Sequence, residues 1–335
     1  MTPLVTVLLP VYNGALHLNE AIESILNQTF TDFELLIIND GSIDNSESII
    51  CSYNDQRITY LLNDTNKGLI YTLNKGIGLA KGKYIARMDA DDISLPERII
   101  KQVAAFKTYS DLAVCGTAYE TFGGENSKKH LLPLSFESIN TELLFSCCIG
   151  HPTVMMRKSF LIEQNLAYQE SYLHAEDYKL WLDISTKGQI INLPEVLLMY
   201  REHSGQVSNL FVSIQNSNRN RIILEKLKLH VAELKNEEEE MFLNLVLVRP
   251  LSEIKVIKKL IFKILSSSKN LPVEYLEIRL FQMYDIYKAH RVYSVYFNSL
   301  TYDAILLKKF HLEFGALNTF MLSKGYIKFL LKSIF

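Results

Sequence analysis

The sequence contains few of the features on which several common protein classes depend. It has four cysteines in 335 residues, with no CxxC pair, and the adjacent Cys147 and Cys148 would form a poor structural disulfide. No uncharged apolar stretch reaches 18 residues, so no transmembrane helix is expected. The first apolar run follows no basic segment and is interrupted by Pro10, which argues against a signal peptide. We therefore expect a reduced, cytoplasmic protein.

Two phosphate-binding motifs are also missing. The first predicted strand is not followed by GxGxxG, and GxxxxGK[ST] occurs nowhere in the chain. These absences argue against a dinucleotide site and a P-loop triphosphate site. If the protein binds a diphosphate, the negative charge has to be neutralised by other groups, such as a metal ion held by carboxylates.

Charge is unevenly distributed along the chain. The formal net charge is -2, but residues 241–335 contain 14 Lys and Arg against 6 Asp and Glu, which leaves the first 240 residues acidic. The basic end predicts either an anionic partner or a solvated helical face. Nucleic acid, a lipid headgroup layer and a phosphorylated acceptor all fit the charge. No nucleic-acid-binding motif accompanies it, so we expect no nucleic-acid partner.

Alternating apolar patterns predict an α/β fold with a mostly parallel, doubly wound sheet. Continuous β-branched runs at 4–11 and 33–39 are typical of strands buried on both faces, and 16–28 carries an apolar helical stripe. Further strands are predicted at 58–62, 84–88, 112–117, 153–156 and near Ile190 and Val196, and further helices at 44–53, 70–80, 137–145 and 176–187. Ser94 to Glu97 resembles a capping box that opens a helix running to Tyr109.

This pattern divides the chain into two predicted parts. Residues 1–207 form the sheet domain, with a donor half at 1–117 and an acceptor half at 118–207. Residues 208–335 are expected to be a helical, basic C-terminal region, broken at Glu237–Glu240 and Ser266–Ser268. Within it, 251–265 and 326–335 mix apolar and cationic residues, which is typical of an interfacial membrane helix and equally of a helix packed on its own domain.

Three polar turns follow predicted strands, at the edge where open parallel sheets bind ligands. They are Pro10–Asn13, Asn39–Ser42 and Arg87–Asp92. In the last of them, Asp89 and Asp91 lie two residues apart on an extended segment, so that both side chains project to one side. Such a DxD motif can hold a hard divalent ion through oxygen ligands.

Six motifs in this order resemble those of the inverting family 2 glycosyltransferases of the bacterial surface-polysaccharide type, which have the GT-A (nucleotide-diphospho-sugar transferase) fold. They are PVYNG at 10–14, NDGSIDNS at 39–46, NKG at 66–68, MDADD at 88–92, HAEDYKLW at 174–181 and YREH at 200–203. The resemblance implies transfer of a sugar from a nucleotide-diphosphate sugar, usually a UDP-sugar, to a saccharide hydroxyl in O-antigen or capsule synthesis. It also implies a divalent cofactor, Mn²⁺ or Mg²⁺.

The resemblance assigns roles on the donor side position by position. Pro10 and Tyr12 would border the nucleotide base, Asp40 would accept a hydrogen bond from base or ribose, and Asn66 and Gly68 would shape the loop above the nucleotide. Residues for the metal and diphosphate are Asp89, which would face ribose or metal, Asp91 as the principal metal ligand, and His203 as a third ligand or diphosphate contact. An ordinary core position for Tyr12 and a surface position for His203 remain alternatives.

On the acceptor side, Asp177 would be the general base and Glu176 would place the acceptor. Helix-end electrostatics alone could also explain these two carboxylates, since they open a helix. One departure from the pattern is Leu73-Asn74, where many relatives carry Arg-Asn. The missing cation could be replaced by Arg87 or Lys67 at the nucleotide. His151 is a further candidate for the acceptor side.

Other functions are compatible with parts of this sequence. A relative that binds nucleotide sugar or saccharide without turnover would not require Asp89, Asp91 and Asp177 together. A sugar nucleotidyltransferase would need a Gly-rich, Arg-bearing loop after the first strand, and PVYNGALH has one Gly and no Arg or Lys. If the basic helices bind a membrane, the enzyme would act at the inner face of the cytoplasmic membrane on a lipid-diphosphate-linked saccharide.

Overall fold

A computed structural model describes residues 2–124, 126–203, 211–231, 234–246 and 254–267, together with 276, 277 and 280. Residues 1–243 and 253–279 form one compact unit, which contains the sheet and the candidate site. The remaining residues, 244–252 and 280–335, belong to a second unit, most of which lies outside the described residues.

The described residues form a nine-stranded mixed sheet with strand order β3-β2-β1-β4-β8-β6-β9-β5, and β7 pairs with β6 at the side. The strands are β1 (Val5–Val11), β2 (Phe33–Asn39), β3 (Ile58–Leu62), β4 (Tyr84–Arg87), β5 (Ile93–Ser94), β6 (Leu112–Phe122), β7 (Lys128–His130), β8 (Met155–Arg157) and β9 (Gln189–Arg201). Strands β1 to β4 pair in parallel, and so do β6 and β9. The antiparallel pairs are β4 with β8, β6 with β8, β6 with β7, and β5 with β9.

Every residue of β1 and β2 is buried, which explains their continuous apolar runs. Helices cover both faces of these strands. The described helices are α1 (Leu18–Leu26), α2 (Ser46–Ser52), α3 (Leu69–Leu79), α4 (Arg98–Thr108), α5 (Phe136–Glu142), α6 (Lys158–Glu163), α7 (Glu176–Ser185), α8 (Val212–His230), α9 (Asn236–Val246) and α10 (Ile254–Ser267). The α/β fold with a mostly parallel sheet and a helical extension is thus confirmed.

The predicted capping box at Ser94 is wrong, because Ser94 belongs to β5 and α4 starts at Arg98. Gln28 provides the missing hydrogen bonds from a distant part of the chain. Its Oε1 accepts from the N–H of Ile99 at 3.1 Å, and its Nε2 donates to Ser94 Oγ and to the carbonyl of Leu95. A helix start can therefore be stabilised by a side chain 71 residues away, which local sequence does not reveal.

Two other local predictions need correction. The strand expected at 153–156 begins as a 3₁₀ turn, His151–Thr153, and only Met155–Arg157 joins the sheet. The two strands expected near Ile190 and Val196 are one strand, β9, which pairs in parallel with β6 as far as Phe122 and Arg201. This long strand brings Arg201 and His203 to the same edge of the sheet as Asp91.

In the C-terminal region, the Glu237–Glu240 run does not break a helix but lies in the first turns of α9. Carboxylates are favourable there because the helix N-terminus carries a partial positive charge. In α10, Leu260, Ile261 and Ile264 are buried, and Lys263 Nζ pairs with Glu238 at 2.7 Å. These residues support the packed-helix alternative for this part of 251–265. The segment 326–335 lies outside the described residues.

Within the described residues, no helix combines the length and apolar character needed to cross a membrane.

Candidate functional site

A cavity of about 630 Å³ opens at the carboxyl ends of β1, β2 and β4, where parallel sheets bind ligands. Both the predicted donor side and part of the predicted acceptor side line it. The lining includes Pro10, Tyr12, Asn13, Asp40, Asn66, Gly68, Asp89, Asp91, Leu173, His174, Glu176 and His203. Of the eleven principal candidate residues, nine line this cavity, whereas Arg87 and Asp177 do not.

The loop after β1 is held in place by the NDGSIDNS segment. The N–H groups of Asn13, Gly14 and Ala15 donate to Ser42 Oγ, Ser46 Oγ and Asp44 Oδ2 at 2.9, 3.0 and 3.0 Å. In return, the N–H of Ile43 donates to Asn13 Oδ1 at 2.9 Å. These bonds hold Asn13 in the left-handed region at φ 52° and fix the adjacent Tyr12 at the cavity wall.

The Tyr12 side chain is 49% exposed, so it is not an ordinary core aromatic. It lines the cavity together with Pro10, which is buried in β1. An exposed aromatic ring on a cavity wall offers a flat face on which a base or a sugar can stack.

The Asp40 carboxylate shapes the loop that carries Asn66 and Gly68. Its Oδ1 accepts from Asn63 Nδ2 at 2.7 Å and from the N–H of Lys67 at 3.0 Å, and its Oδ2 accepts from the N–H of Gly68 at 2.8 Å. Gly68, at φ 91° and ψ 157°, precedes α3 in a conformation open essentially to glycine alone. Asp40 therefore organises this side of the cavity whether or not it also contacts a ligand.

The acidic cluster consists of Asp89, Asp91 and Asp92, which can each bring one carboxylate oxygen within 4.8 Å of the others. Asp91 Oδ2 lies 2.9 Å from His203 Nε2, and the Asp89 carboxylate pairs with the Arg87 guanidinium. Burial raises the pKa of Asp89, and the charge of Asp91 raises it further against the opposing effect of Arg87. Three carboxylates this close together repel one another when ionised, so a nearby positive charge would stabilise them.

Asp92 is the buried member of this cluster. Its Oδ1 accepts from the N–H of Arg201 at 2.9 Å, whereas its Oδ2 is buried with no hydrogen-bond partner. Burial, together with Asp89 and Asp91, raises its pKa well above the usual range. An orphaned buried oxygen beside two other carboxylates fits a hard divalent cation, which takes oxygen ligands. Asp89, Asp91 and Asp92 would hold such an ion, and imidazole at His203 is compatible with Mn²⁺.

The Arg87 side chain is only 2% exposed and pairs with Asp89. Arg87 does not line the cavity. Lys67 points elsewhere, since its Nζ pairs with Asp64 at 3.2 Å. Leu73 is fully buried, and Asn74 exchanges two hydrogen bonds with the backbone of Tyr168. Whether Arg87 or Lys67 contacts the nucleotide in place of the missing arginine stays a prediction.

Glu176 and Asp177 open α7 beside the cavity. Glu176 lines it, is 7% exposed and has no partner for Oε2. Burial raises the pKa of Glu176 to about 7, and the adjacent Asp177 adds to the shift. Asp177 does not line the cavity itself; its Oδ1 accepts from the N–H of Tyr178 at 2.7 Å, and Cys147 Sγ lies 3.9 Å from Oδ2. Burial also raises the pKa of Asp177.

His151 lies next to this acceptor side, where its Nε2 and the Tyr168 hydroxyl are 2.9 Å apart. Burial and the nearby Arg87 charge lower the pKa of His151 well below its usual value. The ring is thus neutral at physiological pH and bound to Tyr168 rather than aimed into the cavity.

Several cavity residues were not predicted from the sequence. Asn13, His17, Leu173 and His174 line the cavity, and Asn63 holds Asp40. The positions of Asn13 and His174 inside or beside recognised motifs are the only local signal for them. No local sequence signal identifies Asn63, because its role depends on the pairing of β3 with β2.

Comparison with known proteins agrees with this geometry. The sequence model described as Glycosyl transferase family 2 matches residues 6–165. A Haemophilus influenzae protein named "Uncharacterized glycosyltransferase" is 36% identical over 239 residues, which cover 67% of this chain and 73% of that protein. The O-antigen biosynthesis glycosyltransferase WbnJ of Escherichia coli is 35% identical over 215 residues, which cover 60% of this chain and 80% of that protein.

A solved structure shares the fold. The crystal structure of S. aureus TarS 1-349 in complex with UDP-GlcNAc superposes with a TM-score of 0.59, covering 86% of this chain and 91% of that one at 17% identity. This chain therefore belongs to glycosyl transferase family 2 and has the GT-A fold, as the sequence motifs predicted. It is a glycosyltransferase with surface-polysaccharide homologues.

Proposed function

We propose that this enzyme transfers a sugar from a UDP-sugar to a saccharide hydroxyl with inversion, during the assembly of a surface polysaccharide. The observation that carries the proposal is the single cavity that joins an exposed aromatic, an acidic cluster and the buried Glu176 carboxylate. The similarity to an O-antigen biosynthesis enzyme supports the polysaccharide assignment.

The donor binds with its base between the loop after β1 and the loop before α3. Tyr12 stacks on the base, while Asn66 and Gly68 close over the nucleoside. Uridine is supported by the TarS complex, in which a related fold binds UDP-GlcNAc. Asp40 contributes mainly by holding the N–H groups of Lys67 and Gly68.

Asp89, Asp91 and Asp92 would hold a divalent ion, with His203 as the fourth candidate ligand. Such an ion would supply positive charge to stabilise the departing nucleoside diphosphate. Arg87 pairs with the Asp89 carboxylate and favours its ionised form, which opposes the effect of burial on its pKa. Arg201 holds the neighbouring residues of the turn. Its backbone N–H donates to Asp92 Oδ1, and its side-chain Nε donates to the carbonyl of Asp91.

Asp177 acts as the general base, and Glu176 orients the acceptor. As the acceptor oxygen attacks the anomeric carbon, the bond to the diphosphate oxygen breaks on the opposite face and the hydroxyl proton passes to Asp177. The nucleoside diphosphate leaves with the bonding electron pair. A single displacement of this kind inverts the anomeric centre, so an α-linked donor gives a β-linked product.

A relative that only binds nucleotide sugar is the second candidate. The raised pKa of Glu176 and the unpartnered Oε2 weigh against it, since a purely structural carboxylate is normally paired. A sugar nucleotidyltransferase lacks support because the loop after β1 has no arginine or lysine for a triphosphate.

Thermal unfolding with UDP, GDP and TDP, each with MnCl2 or with EDTA, tests the donor assignment. A ligand at a hundred times its dissociation constant adds about 2.7 kcal/mol to stability. We expect stabilisation by UDP only when the metal is present. Stabilisation by GDP or TDP alone would change the base, and no stabilisation by any of them would favour another function. NMR analysis of the product anomer then tests inversion; a retained configuration would overturn it.

A further inference from the structure

An aromatic pair stands at the acceptor side of the cavity. The His174 ring stacks on the Phe211 ring, with centroids 4.2 Å apart and planes at 12°. His174 lines the cavity, and the Phe211 side chain is 40% exposed. Leu173, 45% exposed, extends the same apolar surface. Apolar and aromatic side chains at a cavity are typical of the lining of a ligand-binding groove.

His174 adopts φ 66°, a left-handed conformation that is uncommon outside glycine. Such strain persists where the surroundings fix it, and it clusters at functional sites. Here α8 supplies the surrounding contacts. Asn218 Nδ2 donates to the carbonyl of Leu173 at 2.9 Å, and Arg221 Nη2 donates to the carbonyl of Ser171 at 3.0 Å.

A second set of contacts ties the same segment to α8. The Arg221 guanidinium lies 3.6 Å from the centre of the Tyr172 ring, and the Tyr172 hydroxyl bonds the Glu225 carboxylate. Glu225 also pairs with Lys179 of α7 at 3.1 Å. Helix α8 lies beyond the region that the family model matches, yet it positions the segment directly before Glu176.

The chemistry of this surface matches one face of a sugar. A pyranose ring presents an apolar C–H face, which packs on flat aromatic or aliphatic surface, and hydroxyls at its edge, which bond carboxylates. Leu173 and His174, which line the cavity, and Phe211, which stacks on His174, supply the apolar surface. Glu176, with its unpartnered Oε2, supplies the carboxylate. The base-stacking residue Tyr12 belongs to a different element, the loop after β1.

We propose that the stacked His174 and Phe211 rings are the platform on which the terminal sugar of the acceptor lies. Its hydroxyl is thereby directed to Glu176 and Asp177. This inference rests on the proposed function and adds the acceptor subsite to it. It also gives Phe211, the residue before α8, a direct part in substrate binding, and α8 the role of positioning the segment that carries His174.

Saturation-transfer NMR on the full chain tests the platform, with UDP and MnCl2 present. The probes are the methyl glycosides of glucose, galactose and N-acetylglucosamine. We expect the C–H protons of at least one glycoside to receive saturation from aromatic protons in the wild type. Phe211→Ala should bind that glycoside about five-fold more weakly, the size of one lost aromatic contact.

Two further variants make the result specific. Phe211→Tyr keeps the ring and should restore binding, which separates a platform from a folding defect in Phe211→Ala. Leu229→Ala truncates an exposed apolar residue within α8 and should change nothing. Unchanged glycoside binding in Phe211→Ala, or no saturated glycoside in the wild type, would overturn the platform. Saturation of UDP in the same samples reports donor binding separately. If UDP binds but Phe211→Ala has no effect on the glycoside, the platform is rejected and the proposed donor site is not.

Discussion

His203 Nε2 lies 2.9 Å from Asp91 Oδ2, although 112 residues separate them in sequence. The contact joins the residues after β9 to the DxD turn after β4. Both groups have about a third of their side-chain surface exposed, so they are accessible to an ion in the cavity. If the two groups share a metal, changing either one should weaken metal binding.

We therefore expect His203→Ala to reduce Mn²⁺ affinity by about ten-fold and Asp91→Asn by more, since groups around a metal typically contribute 10- to 100-fold. Isothermal titration with MnCl2 in the presence of UDP measures both. Asp111→Asn, a change at an exposed carboxylate before β6, is the control. Equal Mn²⁺ affinity in all three variants and the wild type would remove the DxD turn from the metal site.

Asp177→Asn should reduce the rate of sugar transfer by about 10²- to 10⁴-fold, because the amide cannot take the acceptor proton. UDP affinity should stay within about two-fold, as the carboxylate does not line the donor cavity. Initial rates and UDP titrations separate the two effects. Asp183→Asn, on the same helix and paired with Lys179, is the matched control. A normal rate in Asp177→Asn would mean that another group is the base.

Transfer should depend on pH through the Glu176–Asp177 pair. Burial raises the pKa of Glu176 to about 7 and also raises that of Asp177, so the pair gains a proton as the pH falls below 7. We expect kcat/KM to decrease toward acid with an apparent midpoint near 7, a value that belongs to the pair. Rates between pH 5 and 9 measure it. A rate that stays constant down to pH 5 would contradict this coupling.

Gly68→Ala should destabilise the protein by about 1–3 kcal/mol, because only glycine readily adopts its backbone conformation. No atom within 4 Å would meet the added methyl group, so strain and not collision is the cause. Urea unfolding measures the change. Gly78→Ala, near the end of the following helix and equally free of contacts, should instead stabilise by about 0.5 kcal/mol. Equal effects in the two variants would argue against backbone strain at Gly68.

Lys226 is 1% exposed, and its Nζ donates to Asn140 and Ser185. Burial lowers its pKa from 10.5 to about 8. Between these values the unfolded chain binds more protons than the folded one, so the free energy of unfolding should rise with pH from about 8 to 10.5. The full change is about 3 kcal/mol at most.

Urea unfolding of wild type and Lys226→Met at pH 7, 8.5 and 10 tests this expectation. The variant should lose the part of the pH dependence that Lys226 causes, and it should be the more stable of the two at pH 7. The exposed Lys228→Met is the control and should follow the wild type. If Lys226→Met showed the same pH dependence as the wild type, the lysine would titrate normally.

The membrane interpretation of the basic C-terminal segments stays a prediction. Sedimentation with anionic vesicles at low and high salt tests it, since electrostatic binding to a lipid surface weakens as salt screens the charges. Binding only at low salt would support contact with the inner membrane face. No binding at low salt would leave the packed-helix alternative.

The sequence by itself determined the elements that depend on local patterns. Continuous apolar runs gave β1 and β2, because strands buried on both faces need no polar alternation. The order of the motifs after strands located the donor loops and the DxD turn, since parallel strands end at one edge. Family membership followed from those motifs and is confirmed.

Only the tertiary structure decided how these parts meet. Three contacts join residues 23 to 112 positions apart, and no local pattern encodes them: Gln28 at the start of α4, Asn63 on Asp40, and His203 on Asp91. The burial of Arg87 behind Asp89 likewise depends on strands packed on either side of β4. Local propensity acts over a few residues, whereas burial, charge pairing and hydrogen bonding depend on which distant segments the fold brings together.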